Sequence, residues 1–245
     1  MSGHSKWANI KHKKEKTDAQ KAKIFTKIGK EITLAVKSGG SDPVSNSKLR
    51  DLIQKAKANN VPNDNIERVI KKAQDAGGEN YEEIVYEGYG PAGIAIIVVT
   101  ATDNRNRTAG NLRSYFAKFR GNMGQTGCVS YLFSDAGVIL VSNEDGKTNG
   151  DMLMEVALEA GATDIEDGGE VFEITTEPDL LYTVRDAVEQ AGFSVISAEK
   201  DKIASNYVSL ENEEDKKFMR LLLEKFEEDD DVTEVYHNCD NLDGE

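Results

Sequence analysis

The chain is poor in the residues that would tie it to an oxidising compartment, a membrane or a catalytic centre. Its 245 residues include only 2 cysteines, Cys128 and Cys239, far apart in sequence and outside any CxxC pair. That excludes a disulfide framework and a zinc-type ligand spacing, and it fits a reducing compartment. No apolar stretch approaches the roughly 20 residues of a spanning helix, and the lysine-rich start lacks the apolar segment of a secretory signal. A cytoplasmic protein that crosses no membrane is expected. The signatures GxxxxGK(S/T), HExxH and GxSxG are missing, which removes the usual signals of phosphate transfer, metal hydrolysis and acyl transfer. No enzyme activity and no cofactor are expected.

Three weaker features also fail as chemical sites. Gly121-Asn122-Met123-Gly124-Gln125-Thr126-Gly127 follows a predicted helix and precedes a predicted strand, the reverse of the order that aims helix amides at a phosphate. It reads as a tight connection. His4, His12 and His237 share no spacing fixed by regular structure, so no metal site is expected. The run Glu227 to Asp231 lacks the spaced oxygens and glycine of a calcium loop and reads as a solvated junction.

What the chain does have is charge, unevenly placed. Met1 to Lys72 holds 17 Lys and Arg against 7 Asp and Glu, whereas the whole chain holds 30 against 44. The segment is thus near +10 and the remainder near −24, a cationic module on an anionic body. Such a module suits a polyanion, because lysine and arginine gain affinity by releasing condensed counterions from phosphates. With 38% hydrophobic residues and 4 prolines, the chain is long enough for two or three ordered domains.

Periodicity divides the chain. Ile24, Phe25, Ile28, Ile32, Ala35 and Val36 recur at three and four, predicting a helix over Asp18 to Lys37 with Lys21, Lys23, Lys27 and Lys30 interleaved. Leu49, Leu52, Ile53 and Ala56 predict a second helix over 45–58, ending ahead of Pro62. A third opens at Asn63 or Asp64, with Ile66, Val69, Ile70 and Ala73 on its apolar face and Gly77-Gly78 as its stop. Met1 to Thr17 has few apolar residues besides Trp7 and Ile10, so it is expected to stay mobile until a partner orders it.

Beyond Gly78 strands and helices alternate. Strands are expected at 84–89, 94–102 and 129–133 around a helix at 107–119, and again at 203–210 and 232–237 around a helix at 213–226. Between these halves lies strand 137–141, helix 151–159, a hairpin at Asp167-Gly168-Gly169, helix 179–191 and strand 193–197, a βαββαβ order. The expected fold is α+β with three domains: a basic helical domain over 1–78, a discontinuous α+β domain over 79–134 and 203–245, and an inserted ferredoxin-like domain over 135–202.

Two groups of residues suit nucleic-acid contact. His4, Lys6 and Trp7, with Lys11, His12, Lys13, Lys14 and Lys16, combine point charges with one aromatic face for stacking. Packing of Trp7 onto the helical domain is the alternative reading. Asp103-Asn104-Arg105-Asn106-Arg107-Thr108 places two arginines between an apolar strand and a helix start, where they can fork onto phosphates or pair locally while Asp103 or Asn104 caps the helix.

Gly3-His4-Ser5-Lys6-Trp7-Ala8-Asn9-Ile10-Lys11-His12, Lys23-Ile24-Phe25-Thr26-Lys27, Tyr86-Glu87-Gly88-Tyr89-Gly90-Pro91 and Asp103 to Thr108 together resemble the YebC/PmpR family, which has a mitochondrial branch, over essentially the full length. The resemblance implies a helical N-terminal domain followed by two α+β domains. It also implies a regulator of gene expression that binds DNA, or a ribosome-associated factor that binds ribosomal RNA and helps translation through consecutive prolines. An acidic module that docks a basic protein is the remaining reading. The candidate nucleic-acid residues are thus His4, Lys6, Trp7, Lys11, His12, Lys13, Lys14, Lys16, Lys23, Lys27, Lys30, Arg105 and Arg107. No metal is assigned, and a monomer is favoured. Ala92 stands where many members carry a glycine.

Overall fold

The computed structural model describes residues 18–74, 80–143 and 146–242. Three helices open it: α1 (Asp18–Gly39), α2 (Ser47–Ala58) and α3 (Asn63–Gln74). Ile28, Ile32, Ala35, Leu49, Leu52, Ala56 and Ile66 form their shared core. Asn46 joins the first two helices. Its Oδ1 accepts the Leu49 amide at 3.0 Å, and its Nδ2 donates to the Ala35 and Gly40 carbonyls at 2.8 and 2.7 Å. One side chain therefore satisfies orphan donors of α2 and orphan acceptors of α1. That shortens α2 by two residues against the expected start. The Gly77-Gly78 stop of α3 lies outside the described residues.

The first sheet contains β1 (Glu82–Tyr89), β2 (Ala95–Thr102), β3 (Asn122–Met123) and β8 (Val232–His237), in the order β3-β1-β2-β8 and antiparallel throughout. Helices α4 (Arg105–Lys118) and α7 (Glu213–Glu228) cover it through Leu112, Phe116, Met219, Leu222 and Phe226, packed on Ile94, Ile96 and Val98. Burial of both faces explains why β2 is apolar from Ala95 to Val99.

The second sheet is built from β4 (Phe133–Ser142), β5 (Ala162–Asp167), β6 (Val171–Thr176) and β7 (Val195–Ala204), with α5 (Gly150–Ala160) and α6 (Leu181–Gln190) on it. Its chain order is βαββαβ and its spatial order β5-β6-β4-β7, the ferredoxin-like arrangement. Ile139, Val141, Phe172 and Ile174 face Leu153, Ala157, Leu181, Val184 and Val188 in an apolar core. The fold is α+β, with one α+β domain inserted in the other. Its contacts separate a compact unit over 133–207 from a second that unites the helical domain with the first sheet.

Two strands differ from expectation. Residues 129–133 do not form one: Ser130–Leu132 is a 3-10 turn, and the edge strand is Asn122–Met123, inside the glycine-rich connection. The expected strand 203–210 also divides, since β7 ends at Ala204 and Val208 makes only an isolated bridge to Cys239. In both places only part of the run is buried, Val129 in the first and Ala204 and Leu210 in the second, beside exposed Ser130, Tyr131, Ser205 and Asn206, and period alone does not mark such breaks.

Candidate nucleic-acid interface

The lysines of α1 have an internal task. Lys23, Lys27 and Lys30 lie at i, i+4 and i+7, one side of a helix. Lys23 Nζ donates to the Glu228 carbonyl at 3.1 Å, Lys27 to that of Glu227 at 2.6 Å and Lys30 to that of Asp230 at 2.9 Å. The last carbonyls of a helix lack intrahelical donors and carry the negative end of its dipole, so Lys23 and Lys27 cap α7, while Lys30 holds a carbonyl just beyond its end. Burial pulls the Lys27 ammonium down to about 8 against the opposing pull of Glu227, Asp229 and Asp230. Lys23, Lys27 and Lys30, expected to meet phosphates, thus also hold the carbonyls of Glu228, Glu227 and Asp230.

Asp231 is the centre of that contact. It is 4% exposed, and its Oδ1 accepts Lys30 at 2.8 Å. Its Oδ2 accepts Arg107 at 2.7 Å and the Thr108 and Thr102 hydroxyls at 2.8 and 3.2 Å. Burial pushes this carboxyl up, but the donors from Lys30, Arg107 and Thr108 prevail and hold it at about 2. The acidic run, expected as a solvated junction, is corrected at this residue. Arg107 also pairs with Asp103 at 2.7 Å, so its Nη2 is shared between two carboxylates, the local pairing that was the alternative to a phosphate contact. Asn104 caps α4, accepting the Arg107 amide at 3.1 Å. Arg105 remains exposed, and its carbonyl accepts the Tyr86 hydroxyl at 3.4 Å.

Two further contacts were not legible as sites. Lys55 bridges Glu31 and Glu234, joining α1, α2 and β8. Burial raises the Glu31 carboxyl, and Lys55 opposes that rise. Glu87, 3% exposed, accepts the amides of Gly127, Val129 and Ser130 at 2.8 Å each. Burial raises its pKa, yet these amides lower it on balance. A buried carboxylate thus holds the 124–130 loop in shape. The backbone-to-backbone approach there admits no side chain at Gly88 or Gly121, whose added Cβ would lie 2.6 Å from a carbonyl oxygen.

The cations left without a carboxylate among the described residues include Arg50, Lys57, Arg68 and Lys71 of the helical domain, all exposed. His4, Lys6, Trp7, Lys11, His12, Lys13, Lys14 and Lys16 lie outside the described residues.

Residues 5–76 match the family described as the TACO1/YebC protein N-terminal domain, and 81–239 match the TACO1/YebC second and third domain. The chain belongs to the TACO1/YebC family. A relative from Lachnoclostridium phytofermentans, named a probable transcriptional regulatory protein, is 53% identical over 98% of this chain and 100% of its own length. One from Ruminiclostridium cellulolyticum with the same name is 55% identical over 97% of this chain and 96% of its own. The crystal structure of a conserved hypothetical protein from Aquifex aeolicus superposes with a TM-score of 0.80 at 42% identity, covering 92% of each chain. Two of the quoted sequence motifs acquire structural reasons within this TACO1/YebC chain: Tyr86 to Pro91 contains the Glu87 anchor, and Asp103 to Thr108 the helix cap and the Asp231 partners.

Proposed function

We propose that this protein is a non-enzymatic regulator of gene expression that grips nucleic acid through its basic N-terminal segment and helical domain. DNA is the target that the relatives' names suggest. The observation that carries the proposal is the pairing pattern. In a chain with 14 more carboxylates than cations, Arg50, Lys57, Arg68 and Lys71 have no acidic partner among the described residues. Lys11, Lys13 and Lys14 add to them in sequence. Exposed cations of this kind supply sequence-independent, salt-sensitive affinity for phosphates.

A second reading, a ribosome-associated factor, draws on the packing of α1. Its lysine face lies against α7 and offers nothing to a major groove. Recognition of backbone and shape is then the easier mode, as in structured RNA. Binding to ribosomes and to duplex DNA, measured side by side across a salt series with the chain beginning at Asp18 as control, separates the two. Tail-dependent ribosome binding that persists near physiological salt while DNA binding fades makes it a translation factor. Salt-resistant, sequence-selective DNA binding without ribosome association makes it a transcriptional regulator. Unchanged affinity for DNA and RNA in a Lys11→Glu, Lys13→Glu, Lys14→Glu variant at low salt rules out the proposed surface.

A further inference from the structure

Residues 104–134 contain no aspartate or glutamate, although the chain has 44 among its 245 residues. They contain Arg105, Arg107, Arg113, Lys118 and Arg120. Two of these are engaged by carboxylates from elsewhere in the sequence, Arg107 by Asp231 and Arg120 by Glu214 at 2.8 Å. Arg105, Arg113 and Lys118 are exposed, and no carboxylate pairs with them among the described residues. Among the described residues, the acidic side chain in hydrogen-bond contact with the loop at 127–130 is Glu87, buried beneath it.

Surface ion pairs contribute little stability, so the fold gains almost nothing by keeping carboxylates off this stretch. An approaching polyanion gains a great deal, because every exposed carboxylate on its path would repel it.

The outer side of α4 carries a second signal. Gly110, Ser114 and Ala117 are exposed there, at i, i+4 and i+7. A Cβ added at Gly110 meets nothing within 4 Å, so packing does not require glycine at this position. A glycine inside a helix lowers its stability, and its common use without a packing reason is close approach of backbone to a ligand. The same acid-free stretch ends on Tyr131, which is 73% exposed. It offers an aromatic face on which a base can stack.

We propose that α4 and the loop after it form a second nucleic-acid contact on the folded body. Arg105, Arg113 and Lys118 hold phosphates, and the small outer residues admit the strand close to the helix. This rests on the nucleic-acid reading above and adds a surface to it. At 1.5 Å rise per residue, Arg105 and Lys118 stand roughly 20 Å apart along the axis, the span of about six phosphates of one duplex strand at about 3.4 Å each.

The test is a full-chain Arg105→Glu, Arg113→Glu, Lys118→Glu variant. It is titrated with a short mixed-sequence single-stranded RNA and with duplex DNA across a salt series, and thermal unfolding checks its fold. The dependence of log K on log salt should flatten by about 2 on the single strand and about 2.7 on the duplex. Gly110→Leu, for which the fold has room, should weaken binding without changing that slope. Ultraviolet crosslinking of the parent chain to the RNA should label the peptide containing Tyr131. If the charge variant unfolds, Arg→Gln and Lys→Gln replacements give the same reading. Unchanged affinity and slope, with binding still lost in the Lys11, Lys13 and Lys14 variant, overturn this surface and leave the proposed function standing. A parent chain that binds neither nucleic acid overturns both.

Discussion

The two α+β domains share an architecture and differ in chemistry. Each places two helices on a four-stranded antiparallel sheet. The inserted domain, 133–207, carries 17 acidic residues against 4 basic ones and buries one of the acids, Glu173, beside an apolar core. The outer domain includes a 31-residue stretch with five cations and no acid, and it buries two carboxylates, Glu87 and Asp231, inside polar networks. Layer architecture therefore says little about partners here; the placement of charge says more. Asp231 and Glu87 accept donors from that acid-free stretch and organise it from beneath.

Removing Asp231 should break the contrast most severely. Asp231→Ala leaves Lys30, whose side chain is 11% exposed, without its carboxylate and withdraws the acceptor of Thr102, Arg107 and Thr108. Breaking a buried pair by deleting one partner costs about 3 to 5 kcal/mol. Amide hydrogen exchange resolved by segment should show the loss in α1, β2, α4 and β8 and leave β4 to β7 protected. Equal loss in both units would show that the inserted domain depends on this node. Glu87→Ala should follow. It removes the acceptor of three amides, of which that of fully buried Val129 has least access to water, for about 2 to 3 kcal/mol in the denaturant midpoint.

The contrast also has a pH signature. In the folded chain Asp231 titrates at about 2 rather than 3.8. A lowered carboxyl contributes stability that is fully present above its unfolded value and lost as pH falls through the folded one. About 2 kcal/mol should therefore disappear between about pH 4 and pH 2. An Asp231→Asn chain should lack that part of the acid transition, whereas a profile identical to the parent's would mean that the carboxylate does not hold this state.

Much of this architecture was legible in the sequence, and the reasons are physical. The three N-terminal helices announce themselves through a period of 3.6 residues, and the insertion through a complete βαββαβ set between two incomplete halves. The site was less legible. Lys23, Lys27 and Lys30 display the same spacing whether they face phosphates or a helix end, because a carbonyl and a phosphate oxygen call for the same donor. Asp231 sits in a run of five acids, and only the tertiary fold selects the one that is buried. Arg113 and Lys118 carry a signal that sequence does contain, the missing carboxylates around them, but it is read from an absence across 31 residues and not from a motif.

The smallest effect concerns the turn between β1 and β2. Ala92 adopts φ 53° and ψ 21°, the left-handed region, in the 3-10 turn Pro91–Gly93. An L-residue there bears a steric penalty of roughly 1 to 2 kcal/mol that glycine escapes. Glycine gives back about 0.4 to 1 kcal/mol through the greater freedom of its unfolded chain. Ala92→Gly should thus stabilise the outer domain by about 0.5 to 1 kcal/mol, visible as a small rise in its denaturant midpoint. In the inserted domain the left-handed cap that ends α5 is already a glycine, Gly161, at φ 107°. The reverse change, Gly161→Ala, should therefore destabilise, both through that backbone conformation and because its Cβ would stand 2.9 Å from Leu180 Cδ1. Opposite signs for the two substitutions would tie both to backbone conformation. The same sign in both would mean that Ala92 relaxes out of the left-handed region in solution.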